Sequence, residues 1–241
     1  MRYRALRPLA LALAAPLALV AVPAVQAQAQ AKAPAKEAGA HWAAVVARNS
    51  DGSYTLGNPA AKVKLTEYVS YTCSHCAHFH AESDAQLRQK YLPTGTVSVT
   101  VQQFLRNPVD ITVAMLTNCG DPKRFFRRHG AFMATQSQWM AKVEALDEAA
   151  IARWNEGDIP ARLRRIATDL GFYATMAQSG YTRAAVDACL SDDAARKRLE
   201  AQTKRAQELG VRGTPSFAIN GSLLDGIHDW AALAPKLDKL S

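Results

Sequence analysis

Most of the familiar catalytic signatures are missing from these 241 residues. There is no P-loop, no persuasive pair of catalytic carboxylates and no Ser-His-Asp arrangement, so phosphoryl transfer, glycoside hydrolysis and serine hydrolase chemistry have nothing to stand on. Only four cysteines occur. None lies near the end of the N-terminal apolar stretch, which argues against a lipid-anchored form. No apolar run suits a membrane span: the best candidate, Leu9 to Val22, is short and interrupted by Pro16. Strand-like segments are absent from Asp110 to about Leu209. What remains is a chain with 49% hydrophobic and 21% charged residues, the composition of a globular fold.

The N-terminus is a separate matter. Arg2, Arg4 and Arg7 precede the Ala/Leu-rich run, and Val25-Gln26-Ala27 ends in small residues. This pattern is a secretory signal peptide over 1–27, with an uncleaved anchor as the competing reading. Its removal takes three arginines and no acid, lowering the formal charge from +8 to +5. Gln28 to Ala40, rich in Ala, Gln, Lys and Pro, reads as a disordered tether. Export places the protein in an oxidising compartment, expected to be the periplasm. All four cysteines lie in the exported part, and an even count permits two disulfides.

The chemistry concentrates in VKLTEYVSYTCSHCAHFH, Val63 to His80. Val63, Leu65, Val69 and Tyr71 alternate with Lys64, Thr66, Tyr68 and Ser70, which predicts a strand. From Ser74 to Tyr91, Cys76, Phe79, Ser83, Leu87 and Tyr91 recur at helical spacing. Cys73 therefore sits at a strand-to-helix junction, where unpaired N–H groups and the helix dipole favour its thiolate. Cys76 lies one turn further on, placed to close a short disulfide. A Cys-x-x-Cys in this setting is a redox motif. His75, when protonated, would further stabilise the Cys73 thiolate. Glu67 shares the apolar face of the strand; buried there, it should have a raised pKa and exchange protons with a nearby thiol. An edge strand with Glu67 in water is the alternative.

Cys73, His75, Cys76, His78 and His80 could also suggest a metal site. On one helix they do not converge well, and no second Cys/His pair completes a tetrahedron, so no metal is expected. His78 and His80 read as surface or groove residues. The basic runs, such as Arg196-Lys197-Arg198, are interleaved with acids on helices, so no nucleic-acid partner is expected.

Along the rest of the chain, Trp42 to Ala47 reads as a short strand and Ser53 to Leu56 could pair back on it. Val97 to Leu105 is a β-branched strand, completing a strand–helix–strand unit of the parallel crossover kind. Asp121-Pro122 looks like an N-cap with Pro at N1. Phe125, Phe132, Met133, Gln136, Trp139 and Met140 form a largely apolar stripe. Later helices are expected over 147–155, 160–170, 183–190 and 192–209. Asn220-Gly221 marks a hairpin between 216–219 and 222–224, and 228–240 is a final helix. The expected architecture is α/β: a thioredoxin-like domain from 41–107 and 205–241, with a helical domain inserted at 108–204. Cys119 and Cys189 both fall in the insertion, each near a helix end. They are expected to form a structural disulfide, with two buried free thiols as the alternative.

This order of elements, with Gly213-Thr214-Pro215 ahead of the hairpin, resembles the DsbA-type thiol:disulfide oxidoreductases of the thioredoxin superfamily. The resemblance covers about Trp42 to Leu240 and is most specific at Glu67 to Phe79 and at Gly213-Thr214-Pro215. It implies that Cys73 is the exposed nucleophile, Cys76 the resolving thiol and Glu67 a buried acid. It also implies a cis Pro215 facing the disulfide, with Thr214 before it contacting substrate. One departure is Ser74-His75 where many members have Pro-His. The implied activity is the introduction of disulfides into secreted polypeptides with free thiols. A membrane quinone-linked reoxidase of the DsbB kind is the implied partner, and no cofactor is needed. A reductase or isomerase, and a non-catalytic chaperone or metal carrier, are the rival functions. Isomerases of this superfamily carry a dimerisation domain that 28–40 is too short to be, so a monomer is expected.

Overall fold

The structure, a computed structural model, describes residues 41–241. The expected signal peptide at 1–27 and tether at 28–40 lie outside the described residues. The chain opens with a 3-10 turn, Trp42–Ala44, and then β1, Val46–Arg48. The strand expected from Trp42 is thus only half formed. Trp42 turns aside to pack its indole on Gly95, where a Cβ would come within 2.8 Å of Nε1. β2, Tyr54–Gly57, pairs antiparallel with β1. β3, Val63–Val69, leads into α1, Ser74–Gln86, which loosens into a π-turn over Leu87–Tyr91. β4, Val97–Gln103, returns parallel to β3.

A helical run follows: α2, Pro108–Thr117; α3, Phe125–Ala134; α4, Gln136–Glu144; α5, Glu148–Ala152; α6, Ile159–Asp169; α7, Phe172–Gln178; α8, Arg183–Leu190; and α9, Asp193–Glu208. The last part is β5, Ser216–Ile219, β6, Ser222–Leu223, and α10, Trp230–Leu240. Asn220 and Gly221 have φ of 52° and 84°, the left-handed pair that a tight hairpin turn requires. The sheet order is β1-β2-β4-β3-β5-β6.

Position in the sheet decides the fate of β3. It lies between β4 and β5, so the edge-strand alternative for Glu67 fails: Glu67 is flanked by Val101 on one side and Phe217 on the other. All five residues of the expected helical stripe, Cys76, Phe79, Ser83, Leu87 and Tyr91, are buried. Phe79 packs against Phe217 and Trp230, which ties α1 to β5 and α10.

One helix lies outside the expected set. The sequence pattern does not predict helix α7. Gly171, at φ 78°, looks like a stop after α6, but the chain restarts at Phe172 because its ring packs edge-on to Phe132 and Trp139. Seven residues give too few turns for a periodicity to show. The expected boundary at 204/205 falls inside α9. The C-terminal half of α9 is bound to β4 and its exit: Gln202 Oε1 accepts from Gln103 N at 2.9 Å and Thr203 Oγ1 from Leu105 N at 2.9 Å. A contiguous apolar core runs from β2, β3 and β4 through α2, α3 and α6, so the helices and the sheet stabilise each other.

Candidate active site

The site begins where β3 ends. Residues Ser70 to Thr72 leave the sheet and must find other hydrogen-bond partners. Two helices of the insertion supply them. Asp110, fully buried on α2, accepts from Ser70 Oγ at 2.9 Å, Thr72 N at 2.8 Å and Arg106 N at 2.9 Å. Burial raises the Asp110 pKa, while these donors pull it back down. Asn107 Nδ2 donates to Thr72 Oγ1 at 2.9 Å. From α4, Gln136 Nε2 donates to both Tyr71 O and Cys73 O, at 2.6 and 2.8 Å. The Tyr71 hydroxyl donates to Thr117 Oγ1 at 3.1 Å and hydrogen-bonds His129 Nδ1 at 2.9 Å.

This pinned loop delivers Cys73 to the N-cap of α1 in an extended conformation, with φ −93° and ψ 115°. Both Cys73 and Cys76 are free thiols. Cys73 is only 5% exposed, not the open nucleophile that the resemblance implies. The reason is the loop before β5: the Thr214-Pro215 bond is cis, and Thr214 O accepts from Cys73 Sγ at 3.1 Å. Thr214 and Pro215 are thus brought onto Cys73, 141 residues away in the chain. His228 Nδ1 donates to Pro215 O at 2.9 Å and holds the same loop from behind.

The two thiols are driven apart in acidity. The Cys73 pKa falls to about 4, chiefly through a hydrogen bond from Cys76, against the cost of burial. Thr214 and the backbone N–H groups of Cys76 and His75 lower it further. A thiolate has no proton to give Thr214 O, so it needs a donor instead. The Thr214 hydroxyl is buried with no hydrogen-bond partner and is free to become one. Cys76 goes the other way: burial comes first, then the bond to Cys73 and the charges of Cys73 and Glu67, and its pKa is raised well above normal. The helix N-terminus therefore acts through its N–H groups, in line with the sequence reading. His75 is exposed, and its backbone N–H is one of the groups that lower the Cys73 pKa.

Glu67 is 5% exposed, and its Oε1 has no partner among the described residues. Burial, followed by the charge of Asp84, raises its pKa to about 8. It lines a cavity of about 20 Å³ with His80, Ser83, Asp84, Arg88 and His129. His80 is half-buried and edge-on to His129, with ring centroids 5.1 Å apart. It is therefore a lining residue and not a plain surface histidine, whereas His78 is exposed and pairs with Glu82 at 3.2 Å. Among the described residues no group of three or more His, Cys, Asp or Glu side chains is placed to hold a metal.

Sequence reading does not find Asp110, His129 or His228, and it places Gln136 only in an apolar stripe. That placement is itself a signal. A lone amide among Phe132, Met133 and Trp139 must find partners when buried.

A parallel strand–helix–strand unit with Cys-x-x-Cys at its first junction, facing a cis proline ahead of an antiparallel hairpin, defines a domain of the thioredoxin type. The family model described as thioredoxin matches residues 49–239, and the chain belongs to this family. Among solved structures it is similar to a protein-disulfide isomerase from Novosphingobium aromaticivorans. The two are 48% identical with a TM-score of 0.76, over 79% of this chain and 98% of that one. Alpha-DsbA1 of Wolbachia pipientis shares the fold at 24% identity and a TM-score of 0.58, over 77% of this chain and 89% of that one. A curated relative from Rickettsia bellii carries a provisional protein-disulfide oxidoreductase name; it is 28% identical over 71% of this chain and 58% of its own length. The chain spans between 54% and 60% of the curated relatives that it matches.

Proposed function

We propose that the protein is an exported thiol:disulfide oxidoreductase that works in the oxidase direction on secreted polypeptides with free thiols. The observation that carries this reading is the split between Cys73 and Cys76. In the oxidised protein, a substrate thiolate attacks Cys73 Sγ and breaks the Cys73–Cys76 bond. Cys76 leaves as a thiolate and, with its raised pKa, takes a proton; the neutral Glu67 carboxyl is a buried source. A second substrate thiolate then attacks the substrate sulfur of the mixed disulfide, and Cys73 leaves. The substrate is oxidised to a disulfide and the protein is reduced to the dithiol. A low Cys73 pKa favours that last departure and stabilises the reduced form, which makes the pair oxidising. The Glu67 carboxylate regains its proton from solvent through the His80- and Asp84-lined cavity, which is large enough for one water by the usual requirement of about 10–15 Å³. Thr214 and Pro215 border Cys73 and are the residues that an incoming chain meets.

The turnover needs an oxidant for the dithiol, and a membrane quinone-linked reoxidase of the DsbB kind is the partner proposed. Action as a monomer in the periplasm completes the reading. The protein-disulfide isomerase name of the 48% identical structure favours a second reading, reshuffling of wrong disulfides. One comparison separates them. The Cys73/Cys76 potential, measured against glutathione, should lie above the roughly −180 mV typical of isomerases, and a reduced substrate should be oxidised faster than a scrambled one is repaired. A potential near that of thioredoxin, about −270 mV, would refute the oxidase direction.

A further inference from the structure

A second polar cavity lies away from the redox centre. Its volume is about 180 Å³, and its lining includes Arg48, Tyr54, Asn118, Gly120, Asp192 and Arg198. Arg48 and Tyr54 are cross-strand partners in β1 and β2, which puts their side chains on one face. Tyr54 is only 2% exposed, and its ring stacks on Phe125 with centroids 4.1 Å apart. Its hydroxyl forms no hydrogen bond with any described residue, and Tyr54 lines the cavity. Arg48 has no acidic partner among the described residues. Arg198 has only Asp192, at 3.9 Å, and that carboxylate is occupied in part by capping α9, where it accepts from Ala195 N at 2.9 Å.

More positive charge stands behind this surface. Arg128 is 1% exposed, yet no carboxylate among the described residues meets it. Its guanidinium donates to Thr117 O at 2.9 Å, the Tyr181 hydroxyl at 3.0 Å and Asp121 O at 3.2 Å, all neutral acceptors. The turn that supplies those carbonyls also supplies Asn118 and Gly120 to the cavity lining. Burial raises the Tyr54 pKa, and the charges of Arg48, Arg128 and Arg198 only partly offset it, so the phenol keeps its proton and can donate. The start of α9, sixteen residues long, adds the positive end of a helix dipole at Asp192 and Ala195.

Asp192 is the acidic residue of the lining, against two arginines there and a third behind. A phenol hydroxyl with no hydrogen-bond partner among the described residues, the Arg48 guanidinium, the Arg198 guanidinium 3.9 Å from Asp192 and a helix N-terminus line one cavity, a donor set that suits an oxyanion. We propose that this cavity binds a small oxyanion of the phosphate or sulfate type, held by Arg48 and Arg198 and oriented by the Tyr54 hydroxyl. The proposal is independent of the redox reading.

Phosphorus NMR line broadening of inorganic phosphate, titrated against the full chain at constant ionic strength with chloride as the balancing ion, tests it. Saturable broadening that sulfate reverses is expected. Arg48→Gln with Arg198→Gln should weaken binding by about tenfold or more, and Tyr54→Phe by several-fold, since hydrogen bonds to charged groups carry that scale of energy. Tyr54→Phe keeps the ring stacked on Phe125, so it remains informative if the arginine variant folds poorly. Absence of saturable broadening with the wild-type chain would overturn the proposal. So would equal affinity in wild type and Tyr54→Phe, together with equal affinity in a folded arginine variant.

Discussion

Gln136 and Cys73 are joined across 63 residues by a single hydrogen bond, from Nε2 to the Cys73 carbonyl at 2.8 Å. The same nitrogen reaches Tyr71 O at 2.6 Å, so one amide from α4 fixes the carbonyls on both sides of Thr72. Tyr71 O lies beyond the β3 ladder with no other donor among the described residues, whereas Cys73 O also accepts from Cys76 N and Ala77 N of α1.

Gln136→Leu should therefore destabilise the protein by roughly 1–3 kcal/mol, the scale of leaving the buried Tyr71 carbonyl unsatisfied, since Cys73 O still accepts from Cys76 N and Ala77 N. It should also loosen the N-cap of α1 and raise the Cys73 pKa. Urea unfolding combined with a thiolate absorbance titration checks both. A variant with lowered stability and an unmoved Cys73 titration would confine Gln136 to a packing role.

The Cys73 titration is a prediction in its own right. Thiolate absorbance of the Cys119/Cys189-bridged, otherwise reduced protein should rise with a midpoint near 4. Above that pH Cys73 is charged while Cys76 stays protonated. The folded pKa is depressed, so Cys73 stabilises the reduced fold above its unfolded pKa, and this contribution is lost as pH falls through about 4. The reduced form should accordingly lose stability relative to the oxidised form on acidification. A midpoint at the free-thiol value of about 8.5 would remove the basis for an oxidising pair.

The redox centre is legible in the sequence because its parts carry local signals. Cys73 and Cys76 stand at the end of an alternating run, Glu67 interrupts an apolar face, and Asn220-Gly221 declares its turn. The supports are not legible, since they are set by packing between segments far apart. Asp110 sits 40 residues from Ser70 and His129 58 residues from Tyr71, and nothing local marks either pairing. The burial of Cys73 is hidden for the same cause. Its cover is Thr214, on a loop that only the β3–β5 pairing brings near.

Cys119 and Cys189 are bonded, with Cα atoms 5.6 Å apart and a separation of 70 positions in sequence. They tie the end of α2 to α8. Closing a loop of that length stabilises by roughly 4 kcal/mol on chain-entropy grounds. Cys119→Ala with Cys189→Ala should lower the midpoint of thermal unfolding by roughly 8–16 °C for a chain of this size. The Cys73/Cys76 potential should be unchanged, because neither residue touches that pair. Two free thiols at these positions, found by peptide mapping without reductant, would contradict the assignment.

Glu67 gives the prediction with a pH signature. Its carboxyl has a folded pKa of about 8 against an ordinary value of 4.5, and burial is the main cause. Between those two values the unfolded chain has released a proton that the folded chain still holds. Stability must therefore fall as pH rises through this window and level off above it. Glu67→Gln carries no such proton. Its stability should match the wild type's near the acid end and exceed it by a few kcal/mol at about pH 8, since each pH step between the two pKa values costs the wild type about 1.4 kcal/mol, less some relief by relaxation. The same substitution should slow the step that releases Cys76, since the neutral amide cannot give a proton to the leaving thiolate. Stopped-flow exchange with a reduced peptide, run beside urea unfolding at both pH values, measures the two effects on one sample. Parallel stability curves for wild type and Glu67→Gln would mean that the carboxyl reaches water. Divergent curves with equal exchange rates would leave Glu67 buried but outside the proton path.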